Sequence, residues 1–319
     1  MFHYDGGLKI TRIDLAIDVC RRQPRGFISH AHSDHIGRHE LAFCTPATSK
    51  LYQHRLGPRQ VKEMPYRSTL EWDGLKLTTF PAGHIFGSAM LLAEDDGQRL
   101  LYTGDFKLGE SATAERADPP QADVLVMEST FGHPQYRLPP RSQTVDQLLD
   151  LVRTTLRQGA TPVIQAYTLG KAQEVTKILT LAGIPALQHR SIYAISRIYE
   201  QCGCDLGDYR PYPGRAIEGC AVIAPPPRQR GALIEGLRRP VTIGVSGWAA
   251  APHTRRWLRS DHAIPLSDHA DFDELLELVQ RVNPQIVYCT HGPENFVDHV
   301  RNLGYEARVL GKPHQKQLF

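Results

Sequence analysis

Residues 29–35 read Ser29-His30-Ala31-His32-Ser33-Asp34-His35 and follow directly on the apolar stretch Gly26-Phe27-Ile28. Four potential metal ligands fall within six residues, in a chain that has 15 histidines among 319 residues. A loop decorated at random does not collect three imidazoles at this spacing. Two imidazoles at i and i+2 leave a strand end on the same side and can share one ion, while Asp34 and His35 can turn toward a second. Zinc, which is borderline-soft, accepts such a mixture of nitrogen and carboxylate ligands. Two ions need more ligands than this run supplies, and polar residues at other strand ends provide them. His84 closes TTFPAGH behind Gly83, which permits close backbone approach. Asp105 closes RLLYTGD behind Gly104, with two carboxylate oxygens to bridge two ions.

Outward from this run, the first third of the chain alternates short apolar runs with turn residues: LKITRIDLAIDV, RGFISH, LAFCTP, LKLTTFPAGH, AMLLAEDDGQRLLYTGDF. These read as strands, several of them antiparallel. Asp95-Asp96-Gly97 is a hairpin signal that pairs AMLLAE with QRLLYTGD. From about residue 143 the texture becomes alternating helix and strand, as in a parallel βαβ arrangement. Val145, Leu148, Leu149, Val152 and Leu156 recur at helical spacing up to Gly159, and PVIQA follows as a buried strand. The alternation repeats through GKAQEVTKILTLAG, IPALQH and SIYAISRIYEQCG to the strands CAVIAPP and PVTIGVSG. Beyond Ser267 come a helix (FDELLELVQRV), a strand (QIVYCTH), a helix (ENFVDHVRNLG) and a strand (EARVLG). Polar motifs sit at these junctions, and α/β folds assemble their sites at the carboxyl ends of strands.

Composition adds bounds rather than chemistry. Hydrophobic residues at 41% and charged residues at 22% describe a globular chain with no disordered or low-complexity segment. A formal charge of +3 is too weak by itself to argue for nucleic acid, although arginine clusters can still line a groove. Six scattered cysteines lack the density of a disulfide scaffold, and no stretch approaches the roughly 20 apolar residues of a membrane span. The expectation is a cytoplasmic protein with no membrane partner.

HAHSDH, the AGH of His84 and the TGD of Asp105 resemble the second, third and fourth signature motifs of the metallo-β-lactamase superfamily. Asp18 in AIDV resembles the first, whose aspartate supports the ligand loop without binding metal; Asp14 competes for that role. Glu128 at the end of ADVLVMEST, His269 in LSDHAD and His291 in IVYCTHG look like motifs A, B and C of the β-CASP nucleases. The resemblance implies an α/β fold: a metallo-β-lactamase αββα sandwich from residues 1–142 and 246–319, with an inserted β-CASP-like parallel α/β cap domain over residues 143–245. It implies one zinc on His30, His32, His84 and Asp105, and another on Asp34, His35, Asp105 and His291. ESTFGHPQYR, AYTLGKAQE, VSGW and LSDHADFDELL are most similar to bacterial ligase-associated DNA exonucleases of this fold. That similarity implies action on single-stranded DNA in DNA repair, in association with a DNA ligase and a helicase. GKAQE and the histidine of motif C also resemble the RNA-processing members, so DNA and RNA both stand at this point.

Two divalent ions, zinc or manganese, lower the pKa of a bound water and clamp phosphate oxygens. Asp34 is then placed to orient that water. The leaving oxygen needs a proton, and His269 is the candidate acid if Glu128 hydrogen-bonds its other ring nitrogen. Glu128 and His269 are otherwise a structural ion pair. Lys107, Ser129 and Ser267, beside motif residues, are candidate phosphate contacts, although serines at helix starts are more often caps. The cap is expected to cover the metal face and to leave a cleft for an extended strand. Arg228, Arg230, Arg255 and Arg256 are candidate backbone contacts, and Trp248 a candidate base-stacking side chain against the commoner fate of core packing. Two other classes compete. A small-molecule ester or thioester hydrolase needs neither the insert nor Glu128 and SDHAD, and an inert nucleic-acid scaffold would have lost ligands that this chain retains.

Overall fold

A computed structural model of the chain describes residues 1–226, 237, 239–251 and 258–311. Arg228, Arg230, Arg255 and Arg256 lie outside the described residues. The chain divides into two compact units, one made of residues 1–109, 115–134 and 269–319 and the other of residues 110–114 and 135–268.

The first unit begins with a six-stranded sheet: β1 (Phe2–Tyr4), β2 (Leu8–Ile10), β3 (Leu15–Ile17), β4 (Arg25–Phe27), β5 (Leu41–Cys44) and β6 (Gln60–Glu63), paired in that order. The first two pairings are antiparallel and the last three parallel. A second sheet opens with the antiparallel β7 (Thr69–Trp72), β8 (Leu75–Pro81), β9 (Ala89–Asp95) and β10 (Gln98–Tyr102), followed by β11 (Val124–Glu128), which is parallel to β10. The β9–β10 turn is the expected hairpin. Asp96 (φ 46°) and Gly97 (φ 83°) are both left-handed, the conformation that a two-residue hairpin turn demands.

In the second unit β12 (Thr161–Gln165), β13 (Ala186–Gln188), β14 (Tyr209–Pro211), β15 (Ala221–Ala224), β16 (Pro240–Val245) and β17 (His262–Ile264) form an all-parallel sheet in the order β14-β13-β15-β12-β16-β17. Leu148 and Val152 of the helix Arg141–Arg157, and Val175, Ile178 and Leu179 of the helix Lys171–Leu181, pack with Ile164, Ile223 and Ile243 on one face. β17 pairs with β16, so His262–Ile264 belong to this sheet, and the compact unit comprises residues 110–114 and 135–268, where the sequence suggested 143–245.

The chain then returns to the first unit through the helix Phe272–Val282, β18 (Ile286–Thr290), the helix Phe296–Asn302 and β19 (Glu306–Val309). These strands complete the second sheet in the order β19-β18-β11-β10-β9-β8-β7. Side-chain alternation makes it a middle layer. Ala89, Leu91, Val124 and Val126 pack with Ile17, Phe27 and Phe43 of the first sheet, whereas Met90, Leu92, Leu125 and Met127 pack with Phe272, Leu275, Val279 and Phe296 of the two helices. Ile28, Ala42, Cys44 and Tyr52 form the outer layer, with the helix Pro46–Leu56 against the first sheet. The unit is an αββα sandwich.

That first helix was not foreseen. Its buried residues are Thr48, Ser49, Leu51 and Tyr52, so it presents no apolar stripe at helical spacing. Its ends are nevertheless well marked: Thr45 caps the amide of Thr48, Pro46 occupies the first turn, and Gly57 (φ 80°) ends it. The edge strands β14 and β17 were also missed, each being only three residues long.

Candidate metal centre

The ligand run leaves the end of β4 through Ile28 and is fastened from below by Asp18. Asp18 follows β3 with a left-handed backbone (φ 48°). Its Oδ1 accepts from the Ser29 amide (2.8 Å), and its Oδ2 accepts from the Ser29 hydroxyl (2.5 Å), His35 Nδ1–H (2.9 Å) and the Tyr102 hydroxyl (2.8 Å). Asp14 is instead an exposed partner of Lys9. Ser29 has a single hydroxyl proton, and that proton goes to Asp18. Its oxygen therefore accepts from His30 Nδ1–H (3.0 Å), which leaves the Nε2 lone pair of His30 free.

Three other side chains, those of His32, His84 and Asp105, converge with that lone pair. His32 Nδ1 lies 3.0 Å from His30 Nε2 and 3.1 Å from His84 Nε2, while Asp105 Oδ2 lies 3.6 Å and 3.9 Å from the same two nitrogens. His30, His84 and Asp105 are buried. A ring nitrogen carries either one proton or one lone pair, so His32 Nδ1 cannot satisfy two imidazole nitrogens at once. A cation with bonds of about 2.0–2.1 Å in tetrahedral geometry holds its ligands roughly 3.3 Å apart, which matches these separations and suits the N/O donor set of zinc.

Asp105 Oδ2 also lies 3.4 Å from His35 Nε2, and His35, Asp105 and His291 form a second group with ligand atoms within 4.8 Å of one another. His291 follows β18 and is exposed, with the uncommon left-handed backbone (φ 54°) for a non-glycine residue. Asp34 falls outside both groups; its exposed carboxylate has Oδ2 3.8 Å from His35 Nε2. Gly83 explains the residue before His84. It has φ 78°, and a Cβ there would stand 2.1 Å from the Lys107 carbonyl oxygen.

The electrostatics are those of a site built around positive charge. Burial, together with the neighbouring His35 and His84, lowers the pKa of His30 well below that of a free imidazole. Burial also opposes charge on His35, but Asp18 and Asp105 outweigh it and push the ring up to about 11. A proton on its Nε2 and a metal ion are alternatives there. Asp105 is held well below the carboxylate range, against the effect of burial, by His269, His35 and His30.

Beside these groups His269 Nδ1–H donates to Glu128 Oε1 (3.0 Å), and His269 Nε2 lies 4.0 Å from Asp105 Oδ2. Glu128 ends β11 and is itself fixed: Oε1 accepts from the Phe106 amide (2.9 Å), and Oε2 accepts from Thr130. Sequence reasoning missed Ser29, Tyr102 and Thr130 as holders of these carboxylates. For Tyr102 the only signal was a phenol inside an apolar run, because a buried hydroxyl must find a partner.

Two of the candidate substrate contacts are engaged within the protein. Ser129 donates its hydroxyl to the Thr290 carbonyl (3.1 Å), Lys107 is ion-paired with Glu274 (3.2 Å), and both are buried. In the second unit Ser267 is buried and Trp248 is half-buried, edge-on to Tyr136 with ring centroids 5.4 Å apart. Removing metal with EDTA is expected to lower Tm measurably. Occupancy at a hundredfold excess over Kd contributes about 2.7 kcal/mol, and a Tm that EDTA leaves unchanged in calorimetry would refute metal binding by this cluster.

Comparison with known proteins agrees with this geometry. Residues 27–165 match the beta-lactamase superfamily domain, and residues 262–310 match the Zn-dependent metallo-hydrolase RNA specificity domain. The chain is 35% identical to a protein of Opitutus terrae named probable DNA ligase, over 99% of this chain and 31% of that one. It is 27% identical to cleavage and polyadenylation specificity factor subunit 3 of Dictyostelium discoideum, over 76% of this chain and 38% of that one. The chain thus spans about a third of the length of these curated relatives. Its fold is similar to the crystal structure of a protein of unknown function from Enterococcus faecalis V583, with a TM-score of 0.60 and 15% identity over 90% of this chain and 79% of that one. Among the described residues no helix is long and apolar enough to cross a membrane. With both family domains matched along one chain, over residues 27–165 and 262–310, the comparisons support placing this chain in the β-CASP branch of the metallo-β-lactamase superfamily.

Proposed function

We propose that this chain is a two-metal phosphodiesterase that degrades nucleic acid, shortening single-stranded DNA from an end in DNA repair. The observation that carries the reading is the Glu128–His269 pair at 3.0 Å, beside the carboxylate that both donor groups share. A phosphodiester needs its leaving oxygen protonated, and a histidine oriented by a buried carboxylate is equipped for that task. A small ester or thioester does not call for this pair.

His30, His32, His84 and Asp105 would hold one divalent ion, and His35, Asp105 and His291, with Asp34 beside His35, the other; zinc fits the nitrogen and carboxylate donors, with manganese the alternative. When bound, the ions supply an acidified water and a positive clamp for the phosphate oxygens. Asp34 orients the attacking water with its exposed carboxylate. His269 gives its Nε2 proton to the leaving oxygen and keeps its Nδ1 proton, which it donates to Glu128 Oε1. The similarity to the probable DNA ligase of Opitutus terrae supports DNA as substrate and a DNA ligase as functional partner.

A second reading is RNA cleavage. It is favoured by the match of residues 262–310, which include His269 and His291, to a domain described by RNA specificity. The test incubates the protein and its Asp34→Ala variant with end-labelled single-stranded DNA, single-stranded RNA and duplexes in zinc or manganese. Stepwise shortening of single-stranded DNA by wild type alone supports the first reading. Preferential cleavage of RNA moves it to the second. A metal-loaded protein that cuts no polymer would sink both.

A further inference from the structure

We infer that Lys107 and Glu274 form a positioning pair that holds the Asp105 segment and the His269 segment in register; the inference rests on the phosphodiesterase reading. Lys107 was a candidate phosphate contact in the sequence. In the structure its side chain is only 11% exposed, and its Nζ is 3.2 Å from Glu274 Oε2. Glu274 lies in the first turn of the helix Phe272–Val282, five residues after His269. Part of its role is local. Asp271 caps the amides of Asp273 and Glu274, and Glu274 Oε2 accepts in return from the Asp271 amide (3.1 Å), as in a capping box.

The rest of its role reaches across the chain. Glu274 Oε1 accepts from the Gly109 amide (2.6 Å), and a Cβ on Gly109 would stand 2.9 Å from that oxygen. The Ala270 amide donates to the Phe106 carbonyl (2.6 Å), which joins the residue after His269 to the residue after Asp105. Glu128 Oε1 links the same two segments from the other side, through the Phe106 amide and His269 Nδ1. The Asp105 and His269 segments are thus joined three times: by Glu128, by the Ala270–Phe106 backbone bond, and by Glu274 with Lys107 and Gly109.

A buried ion pair is weak evidence for stability, since desolvation offsets most of the attraction, but it does fix which groups face each other. What it fixes here is the placement of the proton donor relative to the ligand that both donor groups share. A displacement of about 1 Å at such a point lowers turnover by as much as 10²-fold. Lys107 and Glu274 touch neither substrate nor metal on this account, so they act through Asp105 and His269.

The test uses the metal-loaded full chain with Lys107→Met, Glu274→Gln and the double variant on the polymer that wild type cuts. Each single change is expected to lower kcat by roughly 10- to 100-fold with KM within about twofold and bound metal unchanged. The double variant is expected to be no slower than the slower single one, because the pair acts as a unit. It also leaves no unpaired buried charge, so it carries the test if a single variant fails to fold. A raised KM and a flatter salt dependence in Lys107→Met, with Glu274→Gln at full rate, would overturn the inference, since that is how a phosphate contact behaves. A wild type that cuts no polymer fails the underlying reading, whereas an active wild type with all three variants at full rate fails this inference alone.

Discussion

Replacing Asp105 by alanine is expected to lower turnover by at least about 10³-fold and to reduce bound metal below one ion per chain. The reason is geometric. One oxygen, Oδ2, lies 3.6 Å from His30 Nε2, 3.4 Å from His35 Nε2 and 3.9 Å from His84 Nε2, so a single truncation removes an anion from both donor groups. Charge stabilisation by metal is worth several kcal/mol, and each 1.36 kcal/mol is about tenfold in rate. Removing His291 should do less, because His291 belongs to one group only. Metal content by mass spectrometry, alongside cleavage of labelled polymer, checks both statements. Two ions retained in Asp105→Ala would mean that the shared carboxylate is not a ligand.

Glu128→Gln is expected to behave differently, with kcat falling by roughly 10²- to 10⁴-fold and metal content unchanged. A glutamine keeps an oxygen that can accept from the Phe106 amide, so the Asp105 segment stays in place. What it loses is the negative charge beside His269 Nδ1, and with it the preference for a proton on that nitrogen and a second proton on Nε2. Loss of metal in parallel with activity would instead make Glu128 a structural support of Asp105.

Much of this arrangement was legible because its signals are local. Met90 and Leu92 face one layer and Leu91 and Ala93 the other, so period-two alternation exposes the strand and both of its faces. The two left-handed residues of the β9–β10 turn announce themselves as Asp96-Gly97. Histidines at strand ends are equally visible, since little else explains them. The helix Pro46–Leu56 was not visible because it buries hydroxyls, Thr48 donating to the Gly87 carbonyl and Tyr52 to the Gly37 carbonyl, and such tertiary contact overrides the apolar pattern. The partner of Lys107 was not visible either. Glu274 lies 167 residues away, and no spacing rule connects them. For Asp18 the resemblance implied support of the ligand loop, which its bonds to residues 29 and 35 provide, but nothing local joined it to Tyr102.

The parallel pairing of β11 with β18 joins residues 124–128 to residues 286–290, across the whole second unit. His30, His32, His84 and Asp105 are all translated before that unit, while His269 and His291 come after it. At synthesis rates of about 5–20 residues per second, the interval from Asp105 to His291 is roughly ten to forty seconds. A chain still on the ribosome therefore owns its first donor group but neither its proton donor nor its second group. If cleavage needs both ions and His269, the chain is catalytically silent until the segment through His291 has been made and β18 has paired with β11.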